Sequence, residues 1–211
     1  ARMLDHCINT KAAATGEVVG ELILNSGLEF DEQTALPLYT AILIDTSSFR
    51  YPTVTAKTHE LIAKLMATGI KPPSAYNGIY GTKKIQHMHL LGKVLSSANC
   101  SKNEEIAWIV LKEDELKEFN TDIEDTHGFI NNLLILDNVK VACMFRDDGD
   151  KVKVSLRSSG EYDVGNIAVS IGGGGHSHSA ASLIDKTVGN NLTEIIDQVI
   201  KNIEERLLPP K

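Results

Sequence analysis

KVKVSLRS, residues Lys151–Ser158, alternates without a break. A strand has a side-chain period of two, so Val152, Val154 and Leu156 share one face and Lys151, Lys153, Ser155 and Arg157 share the other. One face is a core face. The other gathers three cations and a hydroxyl in a chain whose net charge is -7. Alternation alone leaves two meanings open, a solvated strand face or a local positive field.

The neighbouring segments extend the pattern in both directions. Upstream, RDDGDK (146–151) has Asp-Gly turn chemistry and predicts a hairpin whose first strand covers 139–145. Downstream, Asp163 is a cap for a short helix over 164–171, and a strand is expected over 182–188. Between those two lies GGGGHSHSA, 172–180. Four successive glycines lose more entropy on folding than other residues would, so something must need that backbone. The reasons available are positive φ, close approach of another chain segment, or a row of N–H groups aimed at an anion. With His176 next in line, an anion cradle and a plain hinge or helix stop are both compatible with the run.

The rest of the second half alternates in the same way. IAWIVL (106–111) is an apolar run of strand length, 113–119 and 122–136 read as helices, and Leu192, Ile195, Ile196, Val199, Ile200 and Ile203 form one stripe of a final helix. The polar run SSANCSKNEE (96–105) interrupts the periodicity and is the best place for a domain boundary. The expected organisation is therefore a first domain over 1–97, a linker over 98–105 and a second domain over 106–211.

In the first half, Met3 and Leu4 lead into Asp5, His6 and Cys7, so a short buried strand would deliver an acid and an imidazole to its C-terminal edge, where open α/β sheets bind ligands. An Asp-His pair that satisfies only itself reads the same way. A helix is expected over 12–25, with Thr15 as a possible cap and Val18, Val19, Leu22 and Ile23 as its apolar stripe. After the cap candidate Asp31, the spacing of Ala35, Leu38, Tyr39 and Ile42 suits a helix disturbed by Pro37, with a strand over 39–44 as the alternative. Either element ends at ILIDTSSFR and brings out Asp45, as a turn cap or as a ligand. A helix over 55–68 stops at Gly69, before Pro72 and Pro73. His87 and His89 would share a face if they lay on a strand.

Composition bounds the class. With 211 residues, 42% hydrophobic and 23% charged, the chain can bury one good core or two small ones. No apolar run is long enough for a membrane span. Three widely spaced cysteines fit a reducing compartment, so a cytoplasmic location is expected and no membrane partner. The acidic balance argues against long duplex nucleic acid. The opening ARMLDHCINT reads as the interior of a longer chain, and a preceding segment is expected.

Several of these stretches together resemble one family. LDHCIN resembles the Asp-His-His motif of the DHH phosphoesterases, and ILIDTSSFRYPTVTAKTHELIAKLMATG resembles their later aspartate motif and its helix. VSLRSSGEYDVGNIAVSIGGGGHSHSA resembles the DHH-associated C-terminal substrate domain. The resemblance implies an α/β fold of two domains, a partial DHH-type parallel-sheet domain followed by a smaller mixed-sheet substrate-binding domain. It implies hydrolysis of phosphodiester or phosphomonoester bonds in short RNA or DNA oligonucleotides, 3′-phosphoadenosine-5′-phosphate or small dinucleotides. In this reading His6 and Asp45 match ligands of a centre of two Mn2+ ions, and Asp5 and Cys7 complete the catalytic motif. Arg157, Ser158, Gly172, Gly173, Gly174, Gly175 and His176 match the part that grips the nucleotide. Three departures stand beside the match: no upstream His-x-x-x-Asp-x-Asp run is present, Cys7 replaces the motif's second His, and the path from Asn9 to Ala12 is short. A nucleotide-binding module without catalysis and an inorganic pyrophosphatase or exopolyphosphatase are the alternatives, and a homodimer is left open.

Overall fold

The computed structural model describes residues 9–81, 83–159, 162–187 and 190–207. The chain divides into two compact units, Ala1–Thr82 and Lys83–Lys211.

In the first unit the described residues form four helices, α1 (Thr15–Asn25), α2 (Glu32–Asp45), α3 (Ala56–Ala67) and α4 (Pro72–Ile79). The strand expected at Met3 and Leu4 lies outside the described residues. Asp31 caps α2 by accepting from the Thr34 N–H at 2.8 Å, and α2 runs through Pro37 to Asp45. The helix therefore prevails over the alternative strand, because its period places Ala35, Leu38, Tyr39 and Ile42 in one core with Leu61, Ile62 and Leu65 of α3. Pro72 opens α4 instead of only blocking α3, as suits a residue whose missing N–H needs no partner in a first turn.

The expected stripe of α1 holds at Ile23, which packs on the core, and is corrected at Val19 and Leu22. Val19 and Leu22 are 40% and 57% exposed, whereas Gly16, Glu17 and Gly20 are buried. Small residues let α1 approach closely. A Cβ at position 20 would stand 2.9 Å from a methyl of Leu61, and one at 16 would stand 3.1 Å from the Ala41 Cβ. Glu17, on the same face, is held at both oxygens, by the Ala13 N–H at 2.7 Å and the Thr58 hydroxyl at 3.1 Å. Burial of the carboxylate is tolerated because both oxygens are hydrogen-bonded.

The second unit opens with α5 (Ile85–Ser96) and continues with β1 (Asn99–Cys100), β2 (Ile106–Lys112), α6 (Glu113–Glu118), two 3-10 segments (Ile123–Thr126 and Phe129–Ile135), β3 (Val141–Asp147), β4 (Lys151–Ser158), α7 (Val164–Ser170), β5 (Gly174–His176), β6 (Ser179–Asp185) and α8 (Leu192–Leu207). The six strands form one mixed sheet in the order β1-β2-β3-β4-β6-β5, parallel between β2 and β3 and antiparallel elsewhere. Helices α7 and α8 cover the face carrying Val141, Cys143, Phe145, Val152, Val154 and Leu156. The other face, with Ala107, Ile109, Leu111, Ala142 and Met144, is covered by α5, α6 and the segment Phe129–Ile135. Both faces of β2 and β3 are thus apolar, which explains the unbroken apolar run in β2.

The division between units falls upstream of the linker expected over 98–105. Leu90 and Val94 of α5 are buried against the sheet, and β1, inside the polar run, pairs with Trp108 and Ala107 of β2. The helix expected over 122–136 is instead two 3-10 segments separated at His127 and Gly128. On α5 the two histidines of the H-x-H pair diverge, His87 buried and His89 exposed, as a helical step of two residues requires. Among the described residues no helix is long and apolar enough to cross a membrane.

Candidate functional site

The cover over the second face of the sheet ends with the segment Phe129–Ile135, which meets both β3 and β4. Beyond it the face of β4 that carries Lys153, Ser155 and Arg157 borders an open cavity of about 510 Å³. Its floor follows from strand register: Met144 pairs with Ser155, Ser155 with Ala181, and Ala181 with Gly174, so one row crosses four strands. All four residues of that row line the cavity, and His127 and Ile130 form a wall beside them. The lining combines the apolar side chains of Ile130 and Met144 with two cations, Lys153 and Arg157, which flank Ser155 along β4. The alternation of KVKVSLRS is therefore a core face backed by a cavity face. Arg157 Nη1 donates to the Leu156 carbonyl at 2.9 Å, which ties the guanidinium to its own strand.

The other basic groups near this part of the sheet have carboxylate partners. Arg146, opposite Lys153 in the ladder, makes two bonds to Asp148 at 2.6 and 2.7 Å. Lys151 pairs with Asp185 at 2.9 Å, and Lys186 pairs with Asp147.

The glycine run is built by packing, and the row of free amide donors considered for it is not available. The Gly172 and Gly173 N–H groups donate to the Val169 and Ala168 carbonyls and close the C-terminus of α7. Gly174, Gly175 and His176 are strand β5, paired with Ala181, Ala180 and Ser179. A Cβ on Gly173 would lie 2.2 Å from the Ala181 carbonyl oxygen, and Gly175, at φ +148, would meet the Ala180 Cα at 2.5 Å. Close approach of β6 demands those two glycines. Gly174 and Gly175 still face the cavity, so the run contributes surface to it without forming an anion nest.

The remaining expected residues separate. Ser158 is fully buried on the opposite face of β4 and donates to the Tyr162 carbonyl at 2.6 Å, so its role is to pin the segment leading to α7 and not to contact a ligand. The period of two along β4 puts it on the side of Val152, Val154 and Leu156. His176 is exposed and shares a cross-strand row with Ser179 and Arg157. Asp5, His6 and Cys7 lie outside the described residues.

Asp45 is exposed at the end of α2, and it is Thr46 that organises the turn after it. The Thr46 hydroxyl donates to the Ile42 carbonyl at 2.6 Å and accepts from the Phe49 N–H at 3.0 Å. Ser47, Ser48 and Phe49 have φ of 50, 63 and 63°, three successive left-handed residues without a glycine. Each costs on the order of 1 kcal/mol, so the surroundings must hold them. Arg50 does so through the Ser47 carbonyl and hydroxyl, both at 2.8 Å, and the Phe49 ring packs 5.4 Å from that of His59. Such strain gathers at functional positions, and here it immediately follows Asp45. Among the described residues no three His, Cys, Asp or Glu side chains form a group that could hold a metal ion. Asp45 alone does not make a site for Mn2+.

Sequence reasoning did not include His127, Ile130 or Met144 in the site. Met144 could be found by counting ladder register from the hairpin. His127 carries no periodic signal, because it stands between two 3-10 segments.

Residues 93–205 match the model of the DHHA1 domain. The chain is 29% identical over 202 residues to the bifunctional oligoribonuclease and PAP phosphatase NrnA of Thermus thermophilus, covering 96% of this chain and 60% of that protein. It is 26% identical to the protein of the same name from Bacillus subtilis, covering 80% of this chain and 54% of the relative. The crystal structure of an exopolyphosphatase-related protein from Bacteroides fragilis superimposes with a TM-score of 0.80 at 28% identity, over 92% of this chain and 56% of that one. The chain thus spans little more than half the length of these relatives.

Proposed function

Because the chain belongs to the DHH phosphoesterase family through its DHHA1 domain, we propose that it is part of a Mn2+-dependent phosphoesterase that removes nucleotides from short oligonucleotides and hydrolyses 3′-phosphoadenosine-5′-phosphate. The observation that carries this reading is a cavity lined both by two cations, Lys153 and Arg157, and by the apolar side chains of Ile130 and Met144. A phosphate at Arg157 would gain charge-assisted hydrogen bonds from a planar fork. The apolar side chains of Ile130 and Met144 would take a base or sugar, which favours a nucleotide over inorganic pyrophosphate or polyphosphate. The names of the Thermus and Bacillus relatives point the same way.

In this reading His6 and Asp45 belong to a two-metal centre, with Asp5 and Cys7 beside it. Bound divalent ions would lower the pKa of a water and stabilise charge on the oxygens around phosphorus. The residues of the second unit would bind and orient: Arg157 holds phosphate, His176 extends its row, and Gly174 and Gly175 leave room for the substrate. A cytoplasmic location accords with such substrates. The test is turnover by the full-length gene product, with and without Mn2+, on a short RNA, on 3′-phosphoadenosine-5′-phosphate and on pyrophosphate. Release of mononucleotide and of phosphate from the first two only, and only with Mn2+, is expected. Turnover of pyrophosphate alone overturns the proposal, and tight mononucleotide binding without any turnover replaces it with a binding module.

A further inference from the structure

The cavity has a direction along β4 as well as across the sheet. Lys153, Ser155 and Arg157 occupy successive positions of one strand face, and all three line it. The Cα atoms of Lys153 and Arg157 are four residues apart, about 13 Å at the rise of a strand. Strand side chains stand roughly perpendicular to the sheet, so the two cations keep much of that separation at their tips. Both phosphates of a nucleoside 3′,5′-bisphosphate sit on one sugar and are closer together than this. A strand with a further phosphodiester can reach from one cation to the other.

The charge balance singles out Lys153. Arg146, across the ladder, is held by Asp148, and Lys151, earlier on the strand, is held by Asp185. Lys153 has no carboxylate partner among the described residues, and the Ser155 hydroxyl between the two cations has no hydrogen-bond partner among them. An acidic protein has therefore left a cation and a hydroxyl open on the line that leads away from Arg157.

We infer that Lys153 is a second phosphate contact of this site and sets its preference for chains over single nucleotides. The inference rests on the function proposed above. A substrate phosphate at Arg157 is followed along β4 by its sugar beside Ser155, and the next phosphodiesters run toward the Lys153 ammonium. Lys153 acts on specificity and not on the reacting phosphorus.

The test compares Lys153→Gln, Lys153→Arg and Arg157→Ala in the full-length protein, on a trinucleotide and on a nucleoside 3′,5′-bisphosphate. Lys153→Gln is expected to lower kcat/KM for the trinucleotide about tenfold more than for the bisphosphate, through KM, consistent with loss of one charged hydrogen bond. Between about 50 and 200 mM salt, the slope of log kcat/KM against log salt for the trinucleotide should flatten by about 0.7, the share of one single-strand phosphate contact. Lys153→Arg should restore both. An equal loss on the two substrates, or an unchanged salt slope, overturns the inference while leaving the proposed function standing. Failure of Arg157→Ala to affect either substrate overturns the site itself and the Lys153 inference with it.

Discussion

Arg157 on β4 and His176 on β5 occupy one cross-strand row, with Ser179 of β6 paired to both. Two inter-strand spacings separate them, about 10 Å. Both side chains stand on the same face of the sheet, within reach of one ligand if a nucleotide binds as proposed. Because the row is made of ladder positions, its geometry is fixed by the same hydrogen bonds that hold the sheet.

Truncation of Arg157 should therefore weaken binding without dismantling the fold. A charged hydrogen bond is worth roughly 1.5–3 kcal/mol, so Arg157→Ala is expected to raise KM for a nucleotide substrate about tenfold to a hundredfold, with kcat changed far less. Steady-state kinetics on the full-length protein check this. An equal fall in kcat would mean that the group acts in the transition state.

The glycine run offers a sharp contrast between adjacent positions. A Cβ at Gly173 would meet the Ala181 carbonyl oxygen at 2.2 Å, whereas one at Gly174 meets nothing within 4 Å. Gly173→Ala should destabilise the second unit by about 1–3 kcal/mol, the usual cost of overpacking, and Gly174→Ala should leave its melting temperature close to the original. Thermal unfolding of the two variants decides it. Comparable stability for both would mean that β5 does not lie against β6 in this way.

What was legible in the sequence follows from how local each signal is. KVKVSLRS revealed its two faces because a period of two needs no tertiary information, and Asp31 and Asp163 were found as caps because each bonds three residues on. The stripe of α1 was misread because Gly16 and Gly20, apolar only by lacking a side chain, make the close contact while Val19 and Leu22 face outward. The site was partly legible. Arg157 and the glycines stood out by composition, but Ser158 looked equivalent to Arg157 until side was considered, and His127 is brought in by chain geometry alone. The left-handed turn after Asp45 could not be read, because Ser-Ser-Phe has no glycine to announce it.

His87 couples stability of the second unit to pH. Burial, and next the Lys83 ammonium, hold its pKa below the ordinary histidine value, against a smaller opposing effect of Asp125. Its Nδ1 is buried without a hydrogen-bond partner, and its ring stands edge-on to Phe129 at 5.0 Å. Protonation would place a donor where nothing accepts it. The unfolded chain therefore binds the proton more readily, and stability is full above the unfolded value of about 6.5 and falls as pH drops through the window below it. Denaturant unfolding between pH 8 and pH 5 should show this loss, and His87→Leu should flatten it. An unchanged slope in His87→Leu would assign the dependence to other groups.

Thr46 is the residue through which the strained turn can be tested apart from Asp45. It is fully buried, and its hydroxyl both donates to Ile42 and accepts from Phe49. Thr46→Val keeps the shape and removes both bonds, leaving the Phe49 N–H without its acceptor at a cost of about 1–3 kcal/mol. The left-handed run Ser47, Ser48, Phe49 should relax, because the side-chain bonds that tie it to α2 are then lost and only Arg50, the backbone bonds to Ile44, Leu43 and Thr46, and the packing of the Phe49 ring restrain it. If Asp45 is a Mn2+ ligand as proposed, its position shifts with the turn, and the variant should need a higher Mn2+ concentration for half-maximal turnover while Arg157-dependent KM stays the same. Thermal unfolding reports the first effect and Mn2+ titration of activity the second. Lowered stability with an unchanged Mn2+ requirement would separate the turn from the metal centre and remove Asp45 from the ligand set.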